Sequence, residues 1–276
     1  MPELPEVKTV INCLKPKVIN KTIISVDVKL DKLLKNCTSI EFKNYLAGER
    51  ILDIYNVGKN IIFKLTNEKN FISHLRMSGK YFTDKKIGIN RQHDHIFFKL
   101  NDGICLFYND TRQFGSFHIK NSNDLLTTEP LNKLGKHVED INVSEVYQKM
   151  INKNIPIKNF LLDQSYILGI GNIYANEILF ASKLNPWTKC KNIPFDKFLE
   201  IIKNTKDIFR KATILGGSSI SDFVSSDNNE GQYQNYLNVH MRNKKSCHLC
   251  DYKIEAQVLS QRMTYYCPNC QKENYE

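Results

Sequence analysis

The chain has no apolar run long enough to cross a bilayer as a helix, and its first residues carry neither the basic leader nor the apolar core of an export signal. Both absences lead us to expect a cytoplasmic protein with no membrane partner. Internal repeats, low-complexity tracts and long blocks of one charge are also missing, which argues against a repeat array or a disordered polyionic tail. Tryptophan occurs once, as Trp187. Arginine is scarce. Of 39 basic residues only seven are arginine, namely Arg50, Arg76, Arg91, Arg112, Arg210, Arg242 and Arg262. A chain that uses lysine wherever any cation serves keeps arginine for places needing a planar, multi-donor fork. Arg76, Arg112 and Arg262 therefore draw attention.

What is present fits a globular protein. A length of 276 residues with 41% apolar content allows a sizeable core, divided between two domains. The formal charge of +10 favours a polyanionic partner.

The N-terminus reads Met-Pro-Glu-Leu-Pro-Glu-Val. With Met1 removed, Pro2 becomes a secondary amine followed at once by the carboxylate of Glu3. Amines attack aldehydic carbons to give Schiff bases. A terminal amine, with a pKa of about 7.7–8.0 against about 10.4 for lysine, is neutral far more often at pH 7. The same residues also serve as a helix start, with proline and acids in the first turn; that reading accounts for Pro5 and Glu6 better than for Pro2 and Glu3. Val7, Val10, Ile11 and Leu14 then mark one amphipathic helix, which Pro16 is expected to stop.

Short β-branched and aromatic runs follow, at Ile23–Val28, Ile51–Val57, Ile61–Leu65, Phe71–Leu75, Ile96–Leu100, Ile104–Tyr108 and Phe117–Ile119. They predict an antiparallel sandwich or barrel, closed by a polar linker near Asn121–Pro130. Helical patterns replace them at Val143–Ile151, Ile157–Leu162, Ile173–Ser182 and Phe195–Leu215. Gly216–Gln234 is rich in Gly, Ser, Asn and Asp and reads as a long loop.

Cys247, Cys250, Cys267 and Cys270 form C-x2-C-x16-C-x2-C. Two such knuckles bring four thiolates together as tetrahedral zinc requires, and with all four positions filled by protein the metal is structural. Gln261-Arg262-Met263-Thr264 lies between the knuckles and fits a hairpin presenting Arg262, either to a phosphate or to solvent. Leu168-Gly-Ile-Gly-Asn172 precedes a helix. It is either a phosphate seat of backbone N–H groups or a packing turn with Asn172 as N-cap. Lys59 follows Gly58 in a turn between strands, where a surface lysine is equally at home. Met77 and Phe114 fit the core when taken alone. In His93-Asp94-His95 the histidines share one strand face and Asp94 takes the other. That arrangement fits structural or phosphate-facing histidines better than a metal centre.

Together these pieces resemble bacterial formamidopyrimidine-DNA glycosylases. PELPEV, VGKN, HLRMSGKY, HDH, NDTRQFG, LLDQ, GIGNIYANE, GGSS, CHLC and YYCPNCQ keep the family's order along essentially the whole chain. The resemblance implies an α+β fold. An N-terminal antiparallel β-sandwich flanked by helices (1–130) precedes a helix–two-turn–helix domain (131–237, with a lesion-capping loop at 216–234). A four-cysteine zinc-finger β-hairpin (238–276) ends the chain, and DNA lies in the cleft. It also implies a monomeric, bifunctional DNA glycosylase/AP lyase of base-excision repair. Such an enzyme removes oxidised purines from double-stranded DNA with one structural zinc as its only cofactor.

By matching motif, Pro2 is the expected nucleophile, Glu3 the acid–base, Glu6 an architectural acid, and Lys59 an assistant near the lesion's phosphate. Asn172 and Arg262 are expected to grip phosphates. Met77, Arg112 and Phe114 would fill the gap left by an everted base. His74 and His93, in HLRMSGKY and HDH, are expected to face DNA. Two alternatives stand beside this: an endonuclease VIII-type enzyme for oxidised pyrimidines, disfavoured by Leu4 where PEGPE is usual, and a non-catalytic zinc-dependent DNA binder. The chain departs from the family where Gln261 and Met263 replace glycines beside Arg262. It also departs where Val239-His-Met-Arg242 lacks a glycine and where, within the capping loop, Ser218-Ser219-Ile-Ser-Asp222 replaces a threonine-rich, arginine-containing stretch.

Overall fold

The computed structural model describes residues 1–84, 92–219 and 231–272. Two compact units form, Met1–Lys133 with Leu215–Gln232, and Leu134–Ile214 with Tyr233–Glu276.

The first unit opens with helix α1 (Leu4–Val18), whose Val7, Val10, Ile11 and Leu14 are buried as their spacing requires. Pro16 does not stop it. Proline removes one N–H and crowds the carbonyl four residues back, but within the last turn few bonds remain to lose. The Ile19 N–H still reaches the Lys15 carbonyl at 3.1 Å. Two four-stranded antiparallel sheets follow. One is ordered β1 (Ile23–Val28), β6 (Asp94–Leu100), β7 (Cys105–Asn109), β5 (Lys80–Asp84). The other runs β2 (Ile51–Val57), β3 (Asn60–Leu65), β4 (Lys69–His74), β8 (Ser116–Asn121).

The sheets meet through aromatic rings. Phe71 of β4 stacks on Phe63 of β3 at 4.2 Å and on Phe98 of β6 at 5.4 Å, while Tyr108 of β7 meets Phe117 of β8 edge-on at 4.7 Å. Truncating such a ring costs about 3–5 kcal/mol, so this stack fixes how the loops at the sheet ends are presented. Helix α2 (Ser39–Leu46) places Phe42 against the same stack. Thr38 and Glu41 form its capping box, with the Thr38 N–H donating to Glu41 Oε2 at 2.8 Å and the Glu41 N–H to Thr38 Oγ1 at 3.2 Å.

The second unit is helical, with α3 (Val143–Ile151), α4 (Ile157–Leu162), α5 (Asn172–Ala181) and α6 (Phe195–Ile214), followed by a hairpin of β9 (Glu255–Leu259) and β10 (Arg262–Tyr266). Buried Glu177 of α5 ties the helices to the hairpin region by accepting the N–H groups of Asn238, Val239 and His240 at 2.8–2.9 Å. The fold is thus α+β, with antiparallel sheets, helices and a cysteine-bearing hairpin. Among the described residues no helix is long and apolar enough to cross a membrane.

Candidate active site and nucleic-acid interface

Pro2 and Glu3 are both buried immediately before α1. Glu3 is the N-cap, so Pro2 sits against the positive end of the helix dipole. A reciprocal capping box fixes the geometry: the Glu3 carboxylate accepts from the Glu6 backbone, and the Glu3 N–H donates to Glu6 Oε2 at 2.9 Å. The terminal ammonium, carried here by Met1, is held below its ordinary value chiefly by burial. Glu3 and Glu6 oppose that shift, while Lys59 and Arg112 add to it. Lys59 and Arg112 therefore act on the same corner as Glu3 and Glu6.

Lys59 reaches that corner because a two-residue turn ends β2. Val57 pairs with Asn60, Gly58 takes φ +58°, and Asn56 donates to the Gly58 carbonyl at 3.0 Å. Lys59 is only 8% exposed, which removes it from the surface-lysine reading.

Met77 and Phe114, which fit the core by residue type alone, are instead 40% and 55% exposed. The Arg112 guanidinium lies 5.0 Å from the Phe114 ring centroid. The organiser of this group is Asp110, which was not among the expected site residues. Fully buried, it accepts from the Ser78 hydroxyl, from the Gly115 N–H at 2.8 Å and from the Arg112 N–H at 3.2 Å. The Arg112 N–H also reaches Ser78 Oγ at 3.0 Å, joining the Met77 turn to the Arg112–Phe114 turn. A Cβ on Gly115 would stand 2.8 Å from the Tyr108 ring carbon that bears its hydroxyl, and one on Gly79 would stand 2.4 Å from that hydroxyl, so both turns need glycine. The sequence signal for Asp110 was its place in Asn-Asp-Thr-Arg, where an aspartate commonly accepts local N–H bonds.

His93 precedes β6 at φ +73°, with its ring 6.4 Å from that of His95. His95 Nε2 bonds the Asp110 carbonyl at 3.0 Å, and Asp94 accepts from Asn109 Nδ2 at 2.8 Å. Asp94 and His95 are thus structural supports of the Arg112 loop. His74 is half-buried and its Nδ1 accepts the Arg76 N–H at 3.0 Å, which leaves the proton on Nε2. Burial, then Arg76, Lys59 and His118, lower its pKa to about 3. Its surroundings are cationic and suit an anion.

In the second unit Asn172 is the first residue of α5 and Gly171 takes the N-cap position expected of Asn172. An N1 residue does not need to cap, so its amide is free for another role: Asn172 Nδ2 donates to the Met263 carbonyl at 3.0 Å. Gln164, another residue not singled out beforehand, shapes the preceding turn, accepting from the Gly169 N–H at 2.8 Å and donating to the Ile170 carbonyl at 2.9 Å. The ligand atoms of Cys247, Cys250, Cys267 and Cys270 lie within 4.8 Å of one another. Four sulfurs at that spacing can hold a metal ion, and the hairpin between them presents exposed Arg262. Of the loop expected at 216–234, positions 220–230 lie outside the described residues.

Comparison with known proteins agrees with this geometry. Residues 1–117 match the formamidopyrimidine-DNA glycosylase N-terminal domain, and residues 126–224 match the H2TH domain of the same family. The chain is 45% identical to the formamidopyrimidine-DNA glycosylase of Mycoplasmopsis pulmonis over 99% of both chains, and 42% identical to that of Mycoplasma mobile over 99% and 100%. The Lactococcus lactis Fpg structure with abasic-site DNA superposes with a TM-score of 0.92 at 31% identity, covering 98% of this chain and 100% of the other. A MutM structure with DNA containing carbocyclic 8-oxo-G gives 0.92 at 31% identity, covering 99% and 100%. The class is a DNA glycosylase. Within it, the chain belongs to the formamidopyrimidine-DNA glycosylase (Fpg/MutM) family.

Proposed function

We propose that the protein is a bifunctional DNA glycosylase/AP lyase that removes oxidised purines, 8-oxoguanine and formamidopyrimidines, from double-stranded DNA. The observation that carries this reading is the corner where a buried N-terminal dipeptide meets Glu6, Lys59 and Arg112. With Met1 removed, the Pro2 nitrogen attacks C1′ of the damaged nucleotide and the base departs with the bonding pair and a proton. Glu3 protonates the sugar ring oxygen as the ring opens, leaving an iminium between Pro2 and C1′. Loss of a C2′ proton then expels the 3′ phosphate, and a second elimination expels the 5′ phosphate. The iminium is the electron sink for both steps.

Attack at C1′ requires the nucleotide to leave the stack. Exposed Met77 and Phe114 suit the vacated space as apolar wedges, and Arg112 suits the widowed base as a hydrogen-bond donor. Lys59, His74 and His93 would face phosphate or base on the same unit. Asn172 and Arg262 would hold phosphates from the helical unit. Zinc is the metal we assign to the four cysteines, because an all-thiolate, closed donor set suits it and leaves no position for substrate.

Borohydride trapping on duplexes containing 8-oxoguanine opposite cytosine is the test. We expect a covalent adduct, and excision faster than from thymine glycol duplexes. Absence of any adduct with Met1-processed protein would favour a non-catalytic binder. Faster release of thymine glycol would favour the pyrimidine-lesion enzyme.

A further inference from the structure

The two-residue turn between β9 and β10 is unusual for its sequence. Leu259 pairs with Arg262, leaving Ser260 and Gln261 as the turn, and both take left-handed backbone conformations, φ +48° and +64°. Such turns favour Asn-Gly, because residues with a Cβ resist φ above zero. Serine and glutamine therefore make a strained turn immediately before Arg262.

Helix α4 reaches the hairpin on both sides of that arginine. Asn159 Nδ2 donates to Ser260 Oγ at 2.8 Å, on the strained turn itself. The preceding residue, Lys158, is fully buried and donates from Nζ to Thr264 Oγ1 at 2.8 Å and to the Met263 carbonyl at 3.4 Å. Asn172 of α5 donates to the same carbonyl at 3.0 Å. Arg262 is thus exposed between two pinned residues, Ser260 and Met263. The metal knuckles fix the strand ends remote from the turn, whereas these three side chains fix the turn end.

We propose that Asn159 is a positioning residue for Arg262, holding in place a turn that lacks glycine so that the guanidinium meets a DNA phosphate. This rests on the phosphate-gripping role proposed above for Arg262. Lys158 and Asn172 hold the far flank, and Asn159 bonds the strained pair itself, at Ser260.

The test is Asn159→Ala in the zinc-loaded full chain, with binding to a duplex carrying a stable abasic-site analogue measured across a salt series. Losing one phosphate contact should weaken binding several-fold and reduce the slope of log K against log salt by about 1. KM for lesion DNA should rise while kcat at saturating DNA stays within about twofold, ~0.4 kcal/mol. Gln261→Gly added to Asn159→Ala should return affinity and slope to the values of Gln261→Gly alone, since glycine takes the turn conformation without an anchor.

Unchanged affinity in Asn159→Ala, or no recovery with glycine, overturns the proposal. Loss of bound zinc from Asn159→Ala also overturns it, because the effect would then be general unfolding of the hairpin. Arg262→Ala separates the two layers of the argument. A wild-type salt slope in that variant defeats the phosphate role itself. A reduced slope there, together with a wild-type slope in Asn159→Ala, defeats only the positioning role.

Discussion

Glu6 accepts the backbone N–H of Ser218 at 2.7 Å through Oε1, while its Oε2 accepts the N–H of Glu3 at 2.9 Å. One buried carboxylate thus joins the residue beside Pro2 to the segment after α6. Gly217, at φ +76°, makes the approach possible, since a Cβ there would stand 2.8 Å from Glu6 Oε1. Glu6→Gln replaces one acceptor oxygen with a donor NH2 and sets it against one of the two N–H groups. A buried donor left unpaired costs about 1–3 kcal/mol. We expect a lower urea midpoint and weaker covalent trapping. A variant with wild-type midpoint and trapping would refute the bridging role.

The sequence made the periodic parts of the fold legible and hid the parts set by tertiary context. Ile23–Val28, Ile51–Val57, Val143–Ile151 and Ile157–Leu162 form as their patterns predict. Helix α2 was not foreseen although Thr38-x-x-Glu41 is a capping-box signature, because Ser39–Leu46 buries only Phe42 and Leu46 and shows little periodicity. Lys80–Asp84 carries polar residues and, among the described residues, pairs with β7 alone, so its strand character lies in its partner. In the candidate site the cysteine quartet is legible from spacing alone. The hub role of Asp110 was not, because four of its bonds go to Ser78, Arg112, Gly115 and Tyr108, and the long-range one is invisible without the fold.

Pro2→Gly keeps a terminal amine but makes it primary and loosens the backbone before the N-cap. We expect borohydride trapping to fall at least tenfold. Wild-type protein retaining Met1 should bind lesion DNA and trap just as poorly, because the Pro2 nitrogen is then an amide. Mass spectrometry of the preparation, set beside trapping yield, checks both. Full trapping by either protein would remove the Pro2 amine from the mechanism.

Phe114 is exposed and contributes little to the core, so Phe114→Ala should leave thermal stability nearly unchanged. Base release from an 8-oxoguanine duplex should slow by about tenfold, roughly 1.4 kcal/mol of lost support for the everted state. Strand cleavage at a preformed abasic site, where there is no base to evict, should change less. Equal losses on both substrates would place Phe114 in general DNA binding instead.

Removing metal from the four cysteines frees thiolates that repel one another and loosens the hairpin. Affinity for abasic-site DNA should drop by at least tenfold in protein treated with a chelator, and adding zinc should restore it. The circular-dichroism signal of the β-rich first unit should persist. Undiminished binding by metal-free protein would show that Arg262 does not depend on the metal.

Three histidines make the fold sensitive to acid. Burial, reinforced by Arg76, Lys59 and His118, takes His74 to about 3. Burial takes His118 to about 4, with Lys120, Lys35 and Arg76 adding and Glu129 opposing. Burial and then Lys158 take His240 to about 4. In the unfolded chain each titrates near its ordinary value of about 6.5. Between these limits the unfolded state binds protons that the native state refuses, so stability falls as pH drops from about 6.5 towards 4 and is flat from this cause above 7. His240 shows the structural reason, because its Nδ1 lies 2.8 Å from Asn176 Nδ2, and a proton placed there would face a donor with a donor. We therefore expect the urea midpoint to decline steadily from pH 7 to pH 4.5. The decline should be shallower in His118→Gln, which removes one refused proton without touching the amine corner or the hairpin. An identical pH slope in that variant would show that native His118 takes up its proton as readily as the unfolded chain does.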